Sequence, residues 1–563
     1  MPVPQVAAPP KRWQVAPLAP PAHFEAFSAY PKLVAQLLYN RGVRTPQAAE
    51  AFFAPRAQAV STGGLPGAEA AVRRMAQAIR RGERIAVYGD FDADGVTSAA
   101  LLTQAIRGLG GKVVPYIPDR ITEGHGLNLK GLQFLRDQGI RLIVTADCGI
   151  SNPQEVATAA DWGMDVVITD HHSPPAALPA AVAVIDPKLP GADPSLASLA
   201  SVGVAYTLAQ ALYRAFEREP DTALLELVAL GTVADVAPLT GHNRALVRDG
   251  LASLNRTQHP GLRELMRVAG LQPGHVDTEA IGFALGPRIN APGRIDHADA
   301  AYLLLTSRSE EEARPYAERM DAANAARQRQ TREILERARE MVGDGSTQPV
   351  IIVGDPSFEP GVIGLVASKL CDLFYRPAIV YQDSEHETRA SCRSISEFDI
   401  TAALREHGGL FTRYGGHAQA AGFTLPTARL PILRERLLAS AARLNIAQLA
   451  PHIAIDAHIS LERLNGETIR AMAALAPHGE GNPQPVFLSK GLDVIEARQM
   501  GAEGQHARLK LRSGNVIWSA VAFNAPAAVQ PMPKRVDAVF TLSVDRFDGR
   551  QTLRLNILDM RPA

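Results

Sequence analysis

Cysteine is scarce in this sequence: Cys148, Cys371 and Cys392 are the only three in 563 residues, and they lie far apart. An odd number of widely spaced cysteines argues against the disulfide framework of a small secreted domain. The start of the chain, "MPVPQVAAPPKRWQV", lacks the apolar core of a signal peptide. We therefore expect reduced thiols and a cytoplasmic protein.

An excess of one charge is also absent, because Lys+Arg and Asp+Glu both number 58. Net charge thus gives no argument for a nucleic-acid ligand, and any basic binding surface must be local. No apolar run approaches the ~20 residues that a membrane-spanning helix needs. With 46% hydrophobic and 21% charged residues, the composition is that of a globular protein. The length argues for roughly three or four domains.

Changes in hydrophobic periodicity divide the chain into five predicted regions of an α/β protein. Residues 1–67 have helical spacing broken by Gly and Pro, and residues 68–300 alternate apolar runs with amphipathic helices, which is typical of a parallel sheet. Residues 301–345 are charged and rich in helix formers, so we predict a long helix that connects two lobes. Residues 346–445 form the second α/β lobe. Residues 446–563 alternate polar and apolar residues about "SGN" and "DG" turns, which predicts a small closed β-barrel.

Acids and imidazoles follow the predicted strands of the first lobe where each strand ends. In chain order they are Asp90, Asp92 and Asp94 in "GDFDADG", Asp147 in "TADCG", and Asp170, His171 and His172 in "TDHH"; Asp235 in "TVADVAPL" follows a further apolar segment and can join them. In parallel α/β sheets, ligands bind at the carboxyl ends of the strands. We therefore expect these side chains to converge at one edge of the sheet.

Each of these acids, taken alone, is better explained as a helix cap or a turn residue. That explanation is poor for the whole set, because caps do not need to converge. Carboxylates with neutral imidazole suit Mn²⁺ or Mg²⁺, and no cysteine–histidine spacing indicates a zinc site. Two ions about 3.5–4 Å apart, sharing one carboxylate, would clamp a phosphodiester and activate a water molecule. The pattern thus predicts a two-metal phosphoesterase site.

The motifs "DFDADG", "ADCG", "TDHH", "GTVADVAPL" and "GPRINAPGR" occur in the order found in the DHH phosphoesterase superfamily. Within it, the chain resembles the RecJ single-strand DNA exonucleases of bacteria over nearly its whole length, including "RYGGHAQAAGF" and the terminal β-domain. The resemblance implies processive 5′→3′ degradation of single-stranded DNA to mononucleotides, dependent on two Mn²⁺ or Mg²⁺ ions, in recombination and mismatch repair. It also implies a monomer that works with a single-strand-binding protein and a repair helicase.

The resemblance also implies roles for single residues. The implied metal ligands are Asp92, Asp94, Asp147, His171 and Asp235, with Asp147 as the carboxylate that bridges two ions. His172 is expected to meet the scissile phosphate, and Asp90 to assist as an auxiliary ligand. Two positions depart from the family pattern. Tyr88 stands where some relatives have a histidine ligand, and His125 stands where a tyrosine is more usual.

Substrate contacts are expected from both lobes. The predicted set is Arg120, His125, Asn128, Arg288, Asn290, Arg294, Ser391, Arg393, Gly415, Gly416 and His417. Arginines in "GPRINAPGR", which we predict to be a Gly/Pro-rich loop, suit bidentate phosphate contact, and flexible glycines let backbone N–H groups approach a phosphate. Alternatively, the arginines are solvated surface residues and His417 is a structural histidine. We predict that Arg288, Asn290 and Arg294, with Ser391 and Arg393, bind a 5′-terminal phosphate.

The terminal barrel resembles an oligonucleotide-binding fold and offers four aromatic residues, Phe487, Trp518, Phe523 and Phe547, as platforms for bases. Aromatic residues in hairpins are more often core, so the sequence does not choose among them. Other functions considered are a small-nucleotide phosphodiesterase, an inorganic pyrophosphatase and an inactive DNA-binding scaffold. The first two are shorter chains without the barrel. An inactive scaffold would have lost some of the acids, whereas the set is intact here. A dinucleotide-dependent dehydrogenase fails because "GDFDADG" has acids where glycines are needed.

Overall fold

The computed structural model describes residues 9–54, 64–120, 122–295, 297–343, 348–501, 506–523, 532–545 and 552–563. The chain forms two compact units. The parallel-sheet unit contains Glu50–Arg327 and Leu475–Pro483, and the barrel unit contains Met1–Ala49, Gln328–Ala474 and Gln484–Ala563. Within the described ranges, no helix is both long enough and apolar enough to cross a membrane.

The N-terminal segment contains strand β1 (Arg12–Val15) and helices α1 (Pro21–Ala26), α2 (Lys32–Asn40) and α3 (Pro46–Phe53). Helices alone were predicted for this region. The strand was missed because its parallel partner is β12 (His452–Ile455), far along the chain, and four residues give little periodicity. This pairing places the beginning of the described chain in the barrel unit.

A five-stranded sheet forms the core of the parallel-sheet unit. Its strands are β2 (Arg84–Gly89), β3 (Lys112–Tyr116), β4 (Leu142–Ala146), β5 (Asp165–Thr169) and β6 (Ala183–Ile185). The order is β3-β2-β4-β5-β6 and every pairing is parallel. Buried apolar residues cover both faces, as the nearly continuous apolar runs require. The carboxyl ends of all five strands therefore lie along one edge, as predicted.

Helices cover both faces of this sheet. They are α4 (Ala68–Arg81), α5 (Ala93–Gly108), α6 (Leu129–Asp137), α7 (Pro153–Asp161), α8 (Ser201–Ala215), α9 (Leu224–Ala234), α10 (Gly241–Leu254), α11 (Pro260–Val268), α12 (Thr278–Ala280), α13 (Gly286–Asn290), α14 (Pro292–Ile295) and α15 (Asp299–Thr306), with a 3₁₀ turn at Pro194–Leu196 and a π-helical turn at Ile281–Leu285. The segment "GPRINAPGR" is thus helical, and its prediction as a loop is wrong. Its prolines lie at the starts of α13 and α14, and α13 follows the π-helical turn directly.

The predicted connecting helix is present as α16 (Glu310–Val342), and the boundary between the two units falls within it. The second α/β lobe follows, in the barrel unit. Its elements are β7 (Ile351–Asp355), α17 (Ile363–Phe374), β8 (Ala378–Gln382), β9 (Glu387–Arg393), α18 (Ile400–Arg405), β10 (Arg413–His417), β11 (Ala420–Pro426) and α19 (Leu430–Ala441), with 3₁₀ turns at Gly408–Leu410 and Thr427–Arg429.

The sheet of this second lobe has the order β10-β11-β9-β8-β7, and only β7 and β8 run parallel. Gly415 and Gly416 lie on the exposed edge strand β10, which forms a hairpin with β11. The expectation of a flexible glycine loop is therefore corrected, because the backbone of "RYGGH" is held by antiparallel pairing.

The C-terminal part is the predicted β-barrel. Its elements are a 3₁₀ turn at Ile446–Gln448, β12, β13 (Ala457–His458), a 3₁₀ turn at Leu461–Arg463, α20 (Gly466–Ala473), β14 (Phe487–Met500), β15 (His506–Ser513), β16 (Val516–Ala522), β17 (Arg535–Asp545) and β18 (Thr552–Pro562). The ring β14-β15-β16-β18-β17 is closed by pairing of β14 with β17. The "SGN" turn joins β15 and β16 as predicted, and the "DG" turn lies outside the described residues.

The barrel aromatics occupy different environments. Phe487 is buried in the core, Trp518 is half-buried and Phe523 is 53% exposed. Phe547 lies outside the described residues. Among the three that are described, Phe523 is therefore the one available to a base.

Candidate metal centre

The first motif places its acids at the junction of β2 and α5. Asp92 is the N-cap of α5, and its Oδ1 accepts a hydrogen bond from the backbone N–H of Gly95 at 3.0 Å. Asp94, in the first turn of the helix, is fully buried and accepts hydrogen bonds from the backbone N–H groups of Ser201 (2.7 Å) and Val202 (2.9 Å). Position 95 requires glycine, because a Cβ there would lie 2.6 Å from the Cβ of Asp90. Asp92 and Asp94 are thus held by backbone N–H groups at the starts of α5 and α8.

Asp147, at the end of β4, adopts the left-handed conformation with φ 67°. This conformation is uncommon outside glycine and often marks a functional position. The side chain is buried, and its Oδ1 has no hydrogen-bond partner among the described residues. Such an oxygen is costly unless a cation binds it. Asp147 is thus a candidate ligand on the evidence of its own environment.

His171 lies among carboxylates from three different elements. Its Nε2 is 3.3 Å from Oδ1 of Asp147, 3.8 Å from Oδ2 of Asp94 and 3.9 Å from Oδ2 of Asp235. Burial, with smaller effects from His172 and Lys188, lowers the pKa of His171 to about 4. The imidazole is therefore neutral near pH 7, which is the form that binds a metal.

His172 has a different environment. Its Nδ1 lies 2.7 Å from Oδ1 of the buried Asp170, and this hydrogen bond raises the pKa of His172. Asp170 also accepts hydrogen bonds from the backbone N–H groups of His171, His172 and Ile150. Burial raises the pKa of Asp170, but these bonds, with His172 the strongest, lower it overall. Asp170 therefore orients both histidines of the motif.

Three overlapping groups of side chains could each hold a metal ion, with candidate ligand atoms within 4.8 Å of one another. The groups are Asp94, His171 and Asp235; Asp90, Asp92 and Asp147; and Asp147, His171 and His172. Asp147 and His171 each belong to two groups. All the sequence-predicted metal ligands are thus brought together, and two adjacent ions sharing Asp147 fit this donor set.

The carboxylates repel one another in the absence of a cation. Burial, followed by neighbouring carboxylates, raises the pKa of Asp94 and Asp147 well above the ordinary value. Burial and then Asp92 raise the pKa of Asp235 to about 7. Burial also raises the pKa of Asp90, although a hydrogen bond from His125 opposes it. A divalent cation would remove this repulsion.

The two positions that depart from the family pattern have different environments. Tyr88 is fully buried and stacks on Tyr116, and its hydroxyl donates to the backbone oxygen of Gly126 at 3.1 Å. It therefore belongs to the core rather than to the three metal groups. His125 is half-exposed, and its Nδ1 lies 3.0 Å from Oδ1 of Asp90. That hydrogen bond raises the pKa of His125.

The predicted phosphate-binding residues of the parallel-sheet unit already make internal contacts. Arg120 lies over the ring of Phe91, with the guanidinium carbon 5.0 Å from the ring centroid. Burial lowers the pKa of Arg120, whereas Asp90 and Asp92 oppose that shift. Asn128 is the N-cap of α6, and its Nδ2 donates to the Tyr88 hydroxyl at 2.7 Å.

The arginines of "GPRINAPGR" are partly engaged. Nε of Arg288 donates to Asp321 at 2.9 Å, and its Nη1 donates to the backbone oxygen of Ala284 at 2.9 Å. Oδ1 of Asn290 accepts from the backbone N–H of Ala93 at 2.8 Å, so this residue supports the start of α5. Arg294 is half-buried on α14.

In the barrel unit, the predicted residues lie on β9 and β10. Ser391 lines an open cavity of about 460 Å³ together with Arg389, Arg413 and Gly415. Arg393, two residues further along β9, donates to the backbone oxygen of Cys392 at 2.8 Å. Gly416 lies beside Gly415 on β10, and the side chain of His417 is exposed. This unit thus has its own open depression lined by two arginines, Arg389 and Arg413.

Sequence reasoning missed two residues that follow β6, Asp186 and Lys188. Asp186 is fully buried and its Oδ1 accepts from the backbone N–H of Lys188 at 2.7 Å. The Lys188 ammonium donates to the backbone oxygen of His171. The sequence pattern that could have identified both residues is "VIDPK", a strand followed by an acid, as in the other motifs. However, β6 is only three residues long. A run that short is not identified as a strand by periodicity.

Comparison with known proteins adds three domain matches. The "DHH family, N-terminal domain" matches residues 84–232, the "DHHA1 domain" matches residues 347–443 and the "RecJ OB domain" matches residues 455–559. The first contains the acids and histidines that end β2, β4 and β5. The second lies in the barrel unit, and so does the third apart from Leu475–Pro483.

Relatives match most of the chain. The single-stranded-DNA-specific exonuclease RecJ of Bacillus subtilis is 37% identical over 534 residues, covering 94% of this chain and 67% of the relative. The crystal structure of RecJ from Thermus thermophilus in complex with Mn²⁺ aligns with a TM-score of 0.85 at 31% identity, covering 98% of this chain and 80% of that one. Its complex with Mg²⁺ aligns with a TM-score of 0.78 at 29% identity, covering 98% and 78%.

Proposed function

Because this chain belongs to the RecJ family of single-stranded-DNA-specific exonucleases, we propose that it removes mononucleotides from the 5′ end of single-stranded DNA. It is a metal-dependent nuclease of the DHH type, with Mn²⁺ or Mg²⁺ as cofactor. One observation supports this function above all others. The buried Oδ1 of Asp147, which has no hydrogen-bond partner among the described residues, lies where two candidate metal groups meet.

Two divalent ions, when bound, supply Lewis acidity toward the phosphodiester and activate water as the nucleophile. We assign the ligands as Asp92, Asp94, Asp147, His171 and Asp235. Asp147 is assigned to both ions because it belongs to two of the three groups. Asp90 holds His125 and assists the group that also contains Asp92 and Asp147.

His172 is proposed to act on the substrate rather than on a metal. Its Nδ1 is engaged by Asp170, and the raised pKa favours the protonated ring. A protonated imidazole suits donation of a proton to the 3′ oxygen that leaves when the first nucleotide is released. The cut then leaves a 5′-phosphate on the shortened strand, so that each product end resembles the original substrate end.

Recognition of the 5′-terminal phosphate is proposed for basic residues outside the metal groups. In the parallel-sheet unit these are Arg288 and Arg294, with Asn290, and in the barrel unit they are Arg393, with Ser391. Other contacts with the substrate are proposed for Arg120, His125, Asn128, Gly415, Gly416 and His417. A terminal phosphate has an extra charge and free oxygens, which permit bidentate contact with arginine.

The cellular setting is proposed from the family alone. We infer that the enzyme is cytoplasmic and acts in recombination and repair. In that setting a helicase exposes the single strands that the enzyme degrades, and a single-strand-binding protein covers them. Division into five domains, with boundaries near residues 67, 300, 345 and 445, is proposed from the hydrophobic periodicity of the sequence.

The test compares a linear 5′-phosphorylated single strand, the same strand with a 5′-hydroxyl, a blunt duplex and a single-stranded circle, with Mn²⁺, Mg²⁺ or a chelator. We expect mononucleotides from the linear strand, little product from the duplex or the circle, and none with the chelator. Arg288→Ala should reduce the preference for the phosphorylated end. Efficient cutting of the circle, or digestion from the 3′ end, would contradict the proposed polarity. Binding without cutting would instead indicate an inactive DNA-binding scaffold.

A further inference from the structure

A basic side chain lies beside the metal groups at the edge of the sheet that ends in β6. The strand order is β3-β2-β4-β5-β6, and the metal-binding acids follow the inner strands β2 and β4, with the histidines after β5. Arg120 follows the outer strand β3, and Lys188 follows the other outer strand β6. Two cations therefore lie on opposite sides of the candidate metal centre.

Lys188 is held in place from two directions. Its backbone N–H donates to Oδ1 of the buried Asp186 at 2.7 Å, and its ammonium donates to the backbone oxygen of His171. Asp186 is anchored because it directly follows β6, which pairs with β5 through Thr169 and Ile185. The short turn between them fixes where the lysine side chain begins.

The ammonium of Lys188 interacts electrostatically with Asp235 and His171, which belong to one metal group. Lys188 is nevertheless exposed. A salt bridge to Lys188 is not found among the described residues. The geometry thus offers a charged donor, accessible to solvent, next to a metal group whose bound ion it would repel rather than bind.

We propose that Lys188 contacts a phosphate of the substrate strand at the metal group formed by Asp94, His171 and Asp235, and that Asp186 is its positioning residue. This inference rests on the proposed nuclease function and assigns it a further substrate-binding residue. A compact, strongly hydrated ammonium is suited to point contact with a phosphate oxygen.

The first experiment compares Lys188→Met, Lys188→Arg and the control Lys112→Met. Lys112 is exposed at the opposite, amino end of the same sheet, so the control removes the same charge. Lys188→Met should lower kcat/KM on a 5′-phosphorylated single strand by about tenfold to a hundredfold, the loss expected for one charged hydrogen bond. Lys188→Arg should retain most activity, and Lys112→Met should behave as wild type.

Two further measurements distinguish a phosphate contact of Lys188 from a purely structural role, in which Lys188 only holds the backbone of His171 in place. Mn²⁺ affinity, measured by calorimetry, should be unchanged or tighter in Lys188→Met, because a cation near the ion is removed. Binding of a cleavage-resistant phosphorothioate strand should show a salt slope smaller by about 0.7, the value for one lost phosphate contact with a single strand. Weaker Mn²⁺ binding with an unchanged salt slope would overturn the proposal and show that Lys188 has the structural role instead.

The second experiment concerns Asp186. Asp186→Asn keeps an oxygen that can accept from Lys188 and should remain close to wild type, whereas Asp186→Ala should lose about as much kcat/KM as Lys188→Met. The double variant should be no worse than Lys188→Met alone, because the two residues act through one contact. Full activity of Asp186→Ala, or additive losses, would overturn the positioning role. If the wild-type protein cuts no single strand, the proposed function itself is overturned, and this is seen without any variant.

Discussion

The metal edge of the parallel-sheet unit and the outer face of the barrel both contain clusters of charged side chains. The charges at the metal edge are buried and of like sign, whereas those on the barrel are exposed and paired with opposite charges. At the metal edge, buried carboxylates face one another and Oδ1 of Asp147 has no hydrogen-bond partner among the described residues. On the barrel, exposed Lys510 pairs with Glu496 at 2.7 Å and Arg512 pairs with Asp493 at 2.9 Å, across β14 and β15.

The difference lies in what each arrangement costs. Buried like charges destabilise the fold until a cation binds, so they are retained for that ligand. Exposed pairs contribute only ~0–1 kcal/mol and can be exchanged for contacts with a nucleic acid at little cost. Substitutions should therefore have large effects at the metal edge and small effects on the barrel.

The largest effect is expected for Asp147→Asn, which keeps the shape but removes the charge proposed to be shared by two ions. Activity should fall by at least about a thousandfold. Calorimetry should show weakened Mn²⁺ binding, while the metal-free protein should melt at the same or a higher temperature. Asp161→Asn, at the exposed end of α7, is the control. A folded Asp147→Asn protein with normal nuclease activity would refute the shared-ligand assignment.

A smaller loss is expected when the two histidines are compared. His172→Ala should lower kcat by about a hundredfold, at the low end of the range for a general acid, with Mn²⁺ affinity largely kept. His171→Ala should weaken Mn²⁺ binding, because three carboxylates lie within 3.9 Å of its Nε2. Equal loss of metal affinity in both variants would show that His172 is a ligand instead.

Stability of the metal-free protein should decrease from about pH 7 to about pH 8. Asp186 and Asp235 have pKa values raised to about 7, chiefly by burial, and the pKa of His172 is also raised. In this window the folded state binds more protons than the unfolded state, so the free energy of unfolding falls as pH rises. His171, with a pKa near 4, is neutral in the folded state throughout.

Thermal melting after chelation measures this slope, and saturating Mn²⁺ should reduce it because the ion replaces the protons. The same scan on Asp147→Asn should give a shallower slope than wild type. A melting temperature that rises with pH in the metal-free wild type would contradict the assignment of buried, mutually repelling acids.

The smallest effect is expected on the barrel. Phe523→Ala should weaken binding of long single strands by about fivefold, or ~1 kcal/mol, and should leave cleavage of very short strands unchanged. Phe134→Ala, which removes an exposed phenyl group from α6, is the matched control. Equal defects on short and long strands would show that the barrel also acts at the metal edge.

To test the role of the barrel, a point substitution is preferable to a truncation that removes all residues after Leu449. Such a truncation would delete Leu475–Pro483, which belongs to the parallel-sheet unit. There the guanidinium of Arg244 donates to the backbone oxygens of Ala476 (2.8 Å) and Pro477 (3.1 Å). The deletion would therefore disturb the unit that holds the metal centre as well as the barrel.

The sequence by itself determined the fold class, the connecting helix, the barrel and the acids that follow β2 and β4, with the histidines after β5. These features are local: a strand of a parallel sheet is a continuous apolar run, and its ligands come directly after it. The tertiary structure alone decided what local pattern does not encode. It placed β1 beside β12 and made helices of "GPRINAPGR". It also brought Asp186 and Lys188 beside His171, because β6 is too short to be identified except through its pairing with β5.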